Sequence, residues 1–223
     1  MRRALPLVLT CVAAAIVAGP AGATNECRGL QVCVPVIGPW VVAPAGTQVS
    51  FQLACPPRFV VAGLDAELSR RGVDVTFRGM LGSPVNPGIT TSTSAEFLGR
   101  LVATTPEATF RPHIGCVPAA GRGQRFPTAH RPVKPAPALV PTVVQLRVTP
   151  GVHRYAPRCP ARKRLLGATD AIGFYTPDPP SAALIAKVRV AQAIRGGSVH
   201  VTVRAGALPA VANAIVQLDM ACA

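Results

Sequence analysis

Cys55-Pro56-Pro57-Arg58-Phe59-Val60-Val61-Ala62-Gly63-Leu64-Asp65 returns further along the chain as Cys159-Pro160-Ala161-Arg162-Lys163-Arg164-Leu165-Leu166-Gly167-Ala168-Thr169-Asp170. In both stretches a proline follows the cysteine, a glycine stands eight positions after it, and an aspartate comes shortly after the glycine. Working outward, Val42-Ala43-Pro44-Ala45-Gly46 precedes the first stretch and Val148-Thr149-Pro150-Gly151 the second. Each half then closes on another cysteine, Cys116 or Cys222, at separations of 61 and 63 residues. So many coincidences in one order read as an internal duplication.

The segments around these landmarks alternate with period two, the signature of strands with one buried face. Val49, Phe51, Leu53 and Cys55 share a face, as do Val73, Val75 and Phe77, and later Val199, Val201 and Val203. Before Cys116, Phe110, Pro112 and Ile114 share its face and leave Thr109, Arg111 and His113 opposite. Before Cys222, Val216, Leu218 and Met220 do the same and leave Gln217 and Asp219 opposite. Gly196-Gly197 ahead of Val199 has the composition of a two-residue hairpin turn. Ser181 to Arg195 stays open between a helix capped by Ser181 and a strand through Leu184, Ala186, Val188 and Val190. The fold class expected is all-β: two tandem small antiparallel β-sandwich or barrel modules, each closed by a disulfide.

The duplication implies the pairs Cys55–Cys116 and Cys159–Cys222, which leaves Cys27 and Cys33 to close a small loop. A bridge across a loop of this length is worth about 4 kcal/mol in the chain-entropy model. That matters for a core with few aromatics. The bridge spacing resembles that of immunoglobulin-like sandwiches, but the marker residues are missing: neither inter-cysteine segment contains a tryptophan, and Ile114 and Met220 stand where a tyrosine corner would be. No family is assigned on this basis.

Met1-Arg2-Arg3, an apolar run from Ala4 to Gly19 and the small residues up to Ala23 read as a secretory signal peptide cleaved near Ala23. Cys11 does not fit a lipidation site, since Thr10 is bulky and the apolar run continues past it. No later segment is apolar enough for a transmembrane span. Six cysteines in the mature chain, with no Cys-x-x-Cys, fit an oxidising destination better than a zinc or redox site. Residues 118–142 hold Pro118, Pro127, Pro132, Pro135, Pro137 and Pro141 with Arg122, Arg125, Arg131 and Lys134, and read as a basic, extended linker. The expected plan is therefore a signal peptide over 1–23, a first β module over 24–117 carrying the Cys27–Cys33 loop, a linker over 118–142 and a second β module over 143–223. A further loop over 82–94, rich in Pro, Gly, Thr and Ser, is expected to project from the first module.

Lys and Arg number 23 against 9 Asp and Glu, an excess that points either to the bias of a GC-rich gene or to a partner carrying negative charge. Arg154, Arg158, Arg162, Lys163 and Arg164 crowd around Cys159, where the first half has only Arg58. This is the candidate anion-binding site, arginine being suited to bidentate contact with phosphate or carboxylate. The alternative is a solvated loop that keeps a strand end unpaired.

Catalytic signatures are scarce. Gly-x-Ser-x-Gly does not occur, the cysteines are assigned to bridges, and of the four histidines His130 falls in the linker while His113 and His200 fall on solvent faces of their strands. Asp65 and Glu67 share a strand face and are the nearest approach to a carboxylate pair, but Asp65 has a rough counterpart in Asp170, as a turn residue would. No metal-ligand spacing or phosphate loop is present, so no metal and no cofactor is expected. Aromatic platforms for sugars or single-stranded nucleic acid are lacking, so no specific nucleic acid is expected. The sequence thus implies a secreted or cell-envelope protein that is not an enzyme, binding or structural, with an acidic envelope polymer or surface as its partner. The alternative is a secreted hydrolase whose residues converge only in the fold. Ligand, biological process and oligomeric state are left open.

Overall fold

A computed structural model describes residues 26–30, 32–78, 93–102, 108–119 and 140–223. The signal segment over 1–23 lies outside the described residues, as do nearly all of the 118–142 linker and most of the 82–94 loop. The described chain is all-β with one short helix. Its first half forms β1 (Val34–Ile37), β2 (Trp40–Ala43), β3 (Gln48–Ala54), β4 (Phe59–Leu68), β5 (Val73–Arg78), β6 (Ser94–Leu101) and β7 (Ala108–Pro118). The second forms β8 (Val140–Arg147), β9 (Gly151–Tyr155), β10 (Leu165–Tyr175), α1 (Ala182–Ile185), β11 (Val188–Arg195), β12 (Ser198–Ala205) and β13 (Asn213–Cys222).

Ser181 to Arg195 is both of the things its sequence allowed. Ser181 caps α1 by accepting from the Leu184 N–H at 3.3 Å, and the chain then straightens into β11. Gly196 and Gly197, at φ +54° and +73°, turn β11 into β12, where only residues without a Cβ hold two positive φ values at no cost.

The strand order repeats between the halves. β7 lies between β4 and β2, and β13 lies between β10 and β8. The separate sheets are β3-β6-β5 and β9-β12-β11. The turns after Cys55 and Cys159 match in detail. Phe59 N–H bonds Pro56 O at 3.1 Å and Lys163 N–H bonds Pro160 O at 3.0 Å, with Arg58 and Arg162 both at positive φ, +71° and +67°. Val61 opposes Cys116 and Leu165 opposes Cys222, and one residue then bulges out before Gly63 and before Gly167. The chain is bridged at Cys27–Cys33, Cys55–Cys116 and Cys159–Cys222, the last two with Cα atoms 5.7 Å apart. This register corrects one expectation. Asp65 opposes His113 as Thr169 opposes Asp219, so Asp170 stands one place further on, on the other face, and is not the counterpart of Asp65.

The halves are not separate sheets. β2 pairs β7 through Val41 and Phe110, and on its other edge pairs β10 through Val41–Gly173 and Trp40–Phe174. One sheet therefore runs β4-β7-β2-β10-β13-β8, with β1 continuing β2 along β7. All four residues of β2 are buried. Val41 and Ala43 enter the core built on Phe51, Phe97 and Phe110, while Val42 enters the core built on Phe174, Val201 and Leu218.

The last strands also differ from the expected one-sided pattern. β7 and β13 are central strands and are covered on both faces, so Thr109, His113 and Gln217 are buried rather than solvent-facing. Over β7 the cover is the segment at Glu26, held by Cys27–Cys33. It lies so close to the paired Gly63 and Gly115 that a Cβ on either would run into the Glu26 carbonyl. Over β13 the cover is the edge of β3. Gln52 N–H donates to Gln217 Oε1 at 2.5 Å and Gln217 Nε2 donates to Gln52 O at 2.9 Å, so a side-chain amide pairs with the backbone as a neighbouring strand would. Replacing Gln217 with leucine keeps the volume and leaves both Gln52 groups unpaired. The expected loss is about 2–3 kcal/mol in chemical denaturation. A loss well under about 1 kcal/mol would show that water satisfies that edge.

Candidate functional site

The outer face of the β11-β12-β9 sheet follows from its register. Residues directly opposite on antiparallel strands point to the same side. Arg189, Arg204 and Val152 form one row, Ala191, Thr202 and Arg154 the next, and Ala193 stands opposite His200. At the turn end Arg195 opposes Ser198, which also bridges to Arg158. The inner face of β12 is Val199, Val201 and Val203, all buried, whereas Arg154, Arg158, Arg189, Arg195, Arg204 and His200 are exposed. No aspartate or glutamate stands in any of these rows.

Arg189 and Arg204 are direct cross-strand neighbours, an arrangement that brings Cβ atoms to about 5 Å and is destabilising for like charges. Among the described residues neither has an ion-pair partner. Arg158 is held in place by donating from Nε to Ser198 Oγ at 2.8 Å. Val152, 56 % exposed, and Thr202 add neutral surface between the guanidinium groups. Guanidinium groups gathered on one sheet face without carboxylates can take several phosphates or carboxylates of one extended polyanion.

The arginines singled out in the sequence divide between two places. Arg154 and Arg158 belong to this sheet face, while Arg162, Lys163 and Arg164 occupy the exposed turn after Cys159. The backbone of Arg164 is tied to Ala223 by bonds of 2.7 and 3.0 Å, which anchors that turn to the chain end. Sequence reasoning missed Arg189, Arg195 and Arg204, and placed His200 on a solvent face without joining it to the arginines. The signal for them was the Gly196-Gly197 turn: once a two-residue hairpin is fixed, the partner of every residue on either side follows.

His200 is exposed, and His153 sits half-buried with Nε2 2.8 Å from Thr149 Oγ1. His113 is only 3 % exposed, with Nδ1 3.7 Å from Glu26 and Nε2 3.8 Å from Glu67. Neither ring nitrogen has a hydrogen-bond partner. Arg111, packed at 5.5 Å over Trp40, reaches Glu67 at 3.9 Å. This histidine is roofed by the Glu26 segment, which leaves it almost closed to solvent. A second pair of acids, Glu96 and Asp219, shares the Ser50 hydroxyl at 2.6 and 3.4 Å. Burial first and then the Glu96 charge raise the Asp219 pKa, which the Ser50 hydrogen bond partly offsets. Among the described residues no group of three His, Cys, Asp or Glu side chains could hold a metal ion.

Burial holds the His113 pKa below its ordinary value of 6.5. Glu26 opposes the shift, Arg111 adds to it, and Glu67 and Asp65 oppose it. A histidine that binds its proton less tightly folded than unfolded leaves stability intact above 6.5 and removes it as the pH falls below that value. Stability measured by urea denaturation should therefore decline from neutral pH into the acid range, and His113→Gln should flatten the upper part of that decline. An unchanged slope would place the acid sensitivity elsewhere. No protein-family model matches this chain, nor does any curated protein or solved structure, so the assignment of its surfaces rests on their own residues.

Proposed function

We propose that the chain is an exported, non-catalytic protein of the extracellular space or cell envelope that holds an anionic polymer on the outer face of β11-β12-β9. The single observation that carries this reading is the Arg189–Arg204 cross-strand pair, which costs stability and has no neutralising carboxylate on its face. A bound polyanion removes that cost. Export is supported by the signal-like segment ending at Ala23 and by three disulfides, which suit an oxidising compartment. No described helix is long and apolar enough to cross a membrane. The repeated strand order and matched Cys-Pro turns support descent from two tandem modules, now joined through β2 and β10. Among the described residues the arginine-rich outer face belongs to the second half; in the first, β6 has Arg100 opposite Asp74 and Gln48.

Inorganic polyphosphate is a suitable probe. Its affinity should fall steeply with salt, because each neutralised contact releases condensed counterions. Arg154→Glu, Arg195→Glu and Arg204→Glu together should weaken binding by about a hundred-fold or more at low salt and flatten the salt dependence, with the thermal midpoint retained. The matched control is Arg162→Glu, Lys163→Glu and Arg164→Glu on the neighbouring turn. Equal loss in both variants would assign the attraction to net charge and would overturn the sheet-face site.

A further inference from the structure

A cleft of about 230 Å³ opens where the two halves meet, beside the point at which β2 parts from β10. β2 pairs β10 only through Trp40 and Val41, and Asp170, Ala171 and Ile172 line the cleft along the stretch of β10 that β2 has left. The faces of the surrounding strands decide which side chains enter it. Asp170 stands opposite the fully buried Leu218 and shares its face with Ile172 and Phe174, which pack into the second core. On β11, Val188 and Val190 pack into the same core, while Arg189 between them turns to the outer sheet face beside Arg204. That strand therefore presents two aliphatic side chains to the cleft and no charge. Val42 and Ile185 complete the wall. One carboxyl stands in a ring of aliphatic side chains.

Among the described residues the Asp170 carboxyl has neither a hydrogen bond nor an ion pair. Burial raises its pKa, and no charged neighbour contributes to the shift. The first half has Ala66 at the matching register, opposite Pro112 as Asp170 is opposite Leu218, so the strand itself does not require an acid there. A carboxyl held against apolar surface without a partner is costly, and departures of that kind are expected where a group serves a ligand. The wall narrows the ligand further. A metal ion wants several oxygen ligands and would find a single carboxyl among aliphatic side chains. A quaternary ammonium wants aromatic faces, and the wall has none. The volume is below the usual range for drug-sized ligands, which limits the occupant to a compact molecule.

We infer that this cleft binds a small aliphatic primary ammonium ion, its N–H groups donating to the Asp170 carboxylate and its hydrocarbon body lying against Val42, Ile172, Ile185 and Val188. Such a ligand supplies the missing cation and covers apolar surface in one step. Either part of the molecule alone leaves the other need unmet. A proton competes with the ammonium for the same carboxylate, so binding weakens as the pH falls through the Asp170 pKa. The cleft lies on the inner side of the β11-β12-β9 sheet, and the inference stands apart from the polyanion reading of the outer face.

The experiment is an NMR titration of the isotope-labelled protein at pH 7, following the amides of Ala171, Ile172 and Val190. The 3-methylbutylammonium ion should give saturable shifts confined to the cleft. Methylammonium has the charge without the hydrocarbon, and 3-methylbutan-1-ol has the hydrocarbon without the charge. Each should bind about ten-fold more weakly or worse. Asp170→Asn should remove the binding of 3-methylbutylammonium, as should Asp170→Ala, which introduces the residue type of the first half. Both variants should melt no lower than the parent at pH 7, because a carboxyl whose folded pKa is raised disfavours the ionised form that neutral pH imposes. Binding that survives either substitution, or that strengthens in acid, overturns the inference. So does an alcohol that binds as tightly as the ammonium ion, or the absence of saturable shifts with all three probes.

Discussion

Four residues, Trp40 to Ala43, hold the two halves of this protein together. β2 is hydrogen-bonded on both edges, to β7 of its own half and to β10 of the other, and it is buried on both faces. Val41 and Ala43 complete one core and Val42 completes the other. Ala171, from the second half, returns the exchange by entering the first core. Such a strand tolerates neither a register slip, which would exchange the residues of the two cores, nor a polar side chain on either face. Everything described above presupposes that β2 is seated: the seam, the cleft beside it, and the placement of β3 against β13.

That seam was poorly visible in the sequence, and the reason is physical. Period-two alternation reports one buried face, and it correctly marked Val49-Phe51-Leu53 and Val199-Val201-Val203, whose sheets have one outer face. It misplaced His113 and Gln217, because β7 and β13 are central strands with a second cover that lies far away in sequence. Polar residues on a doubly covered strand look solvent-facing until the cover is known. Trp40 to Ala43 is apolar throughout, the pattern of a strand buried on both faces, but a run of four is too short to be told from a core fragment by composition. Cysteine spacing, by contrast, was legible because a bridge constrains two positions together.

The candidate surface was half legible for a similar reason. Arg154 and Arg158 stand next to a landmark cysteine and attract notice, whereas Arg189 and Arg204 are separated by a hairpin and adjoin only in the folded sheet. The divergence between the halves is also uneven. The disulfide, the Cys-Pro turn and the bulge before the glycine are alike in the two halves, while the outer sheet face differs. The halves are alike where each is closed and differ where each meets the outside.

The joining of two like units has a consequence for growth. In the order β4-β7-β2 and β10-β13-β8, the edges that meet are the last of one unit and the first of the next, and the same two kinds of edge remain at the ends of the sheet, on β8 and β4. An edge pair of this kind is head-to-tail and does not close on itself, so identical chains could in geometry add indefinitely into a fibre. Phe174, which meets Trp40 at the seam, has Arg70 in its place in the first unit, just beyond β4, and β8 ends on the exposed Arg147. Both outer strands thus carry an arginine close to the edge that an added strand would meet, and Pro141 removes a backbone donor from the other end of β8. Charge and a missing donor on the outer strands make them unlike the edges that meet at the seam. Apolar side chains in place of Arg70 and Arg147 would give both outer strands the kind of edge by which β2 and β10 join.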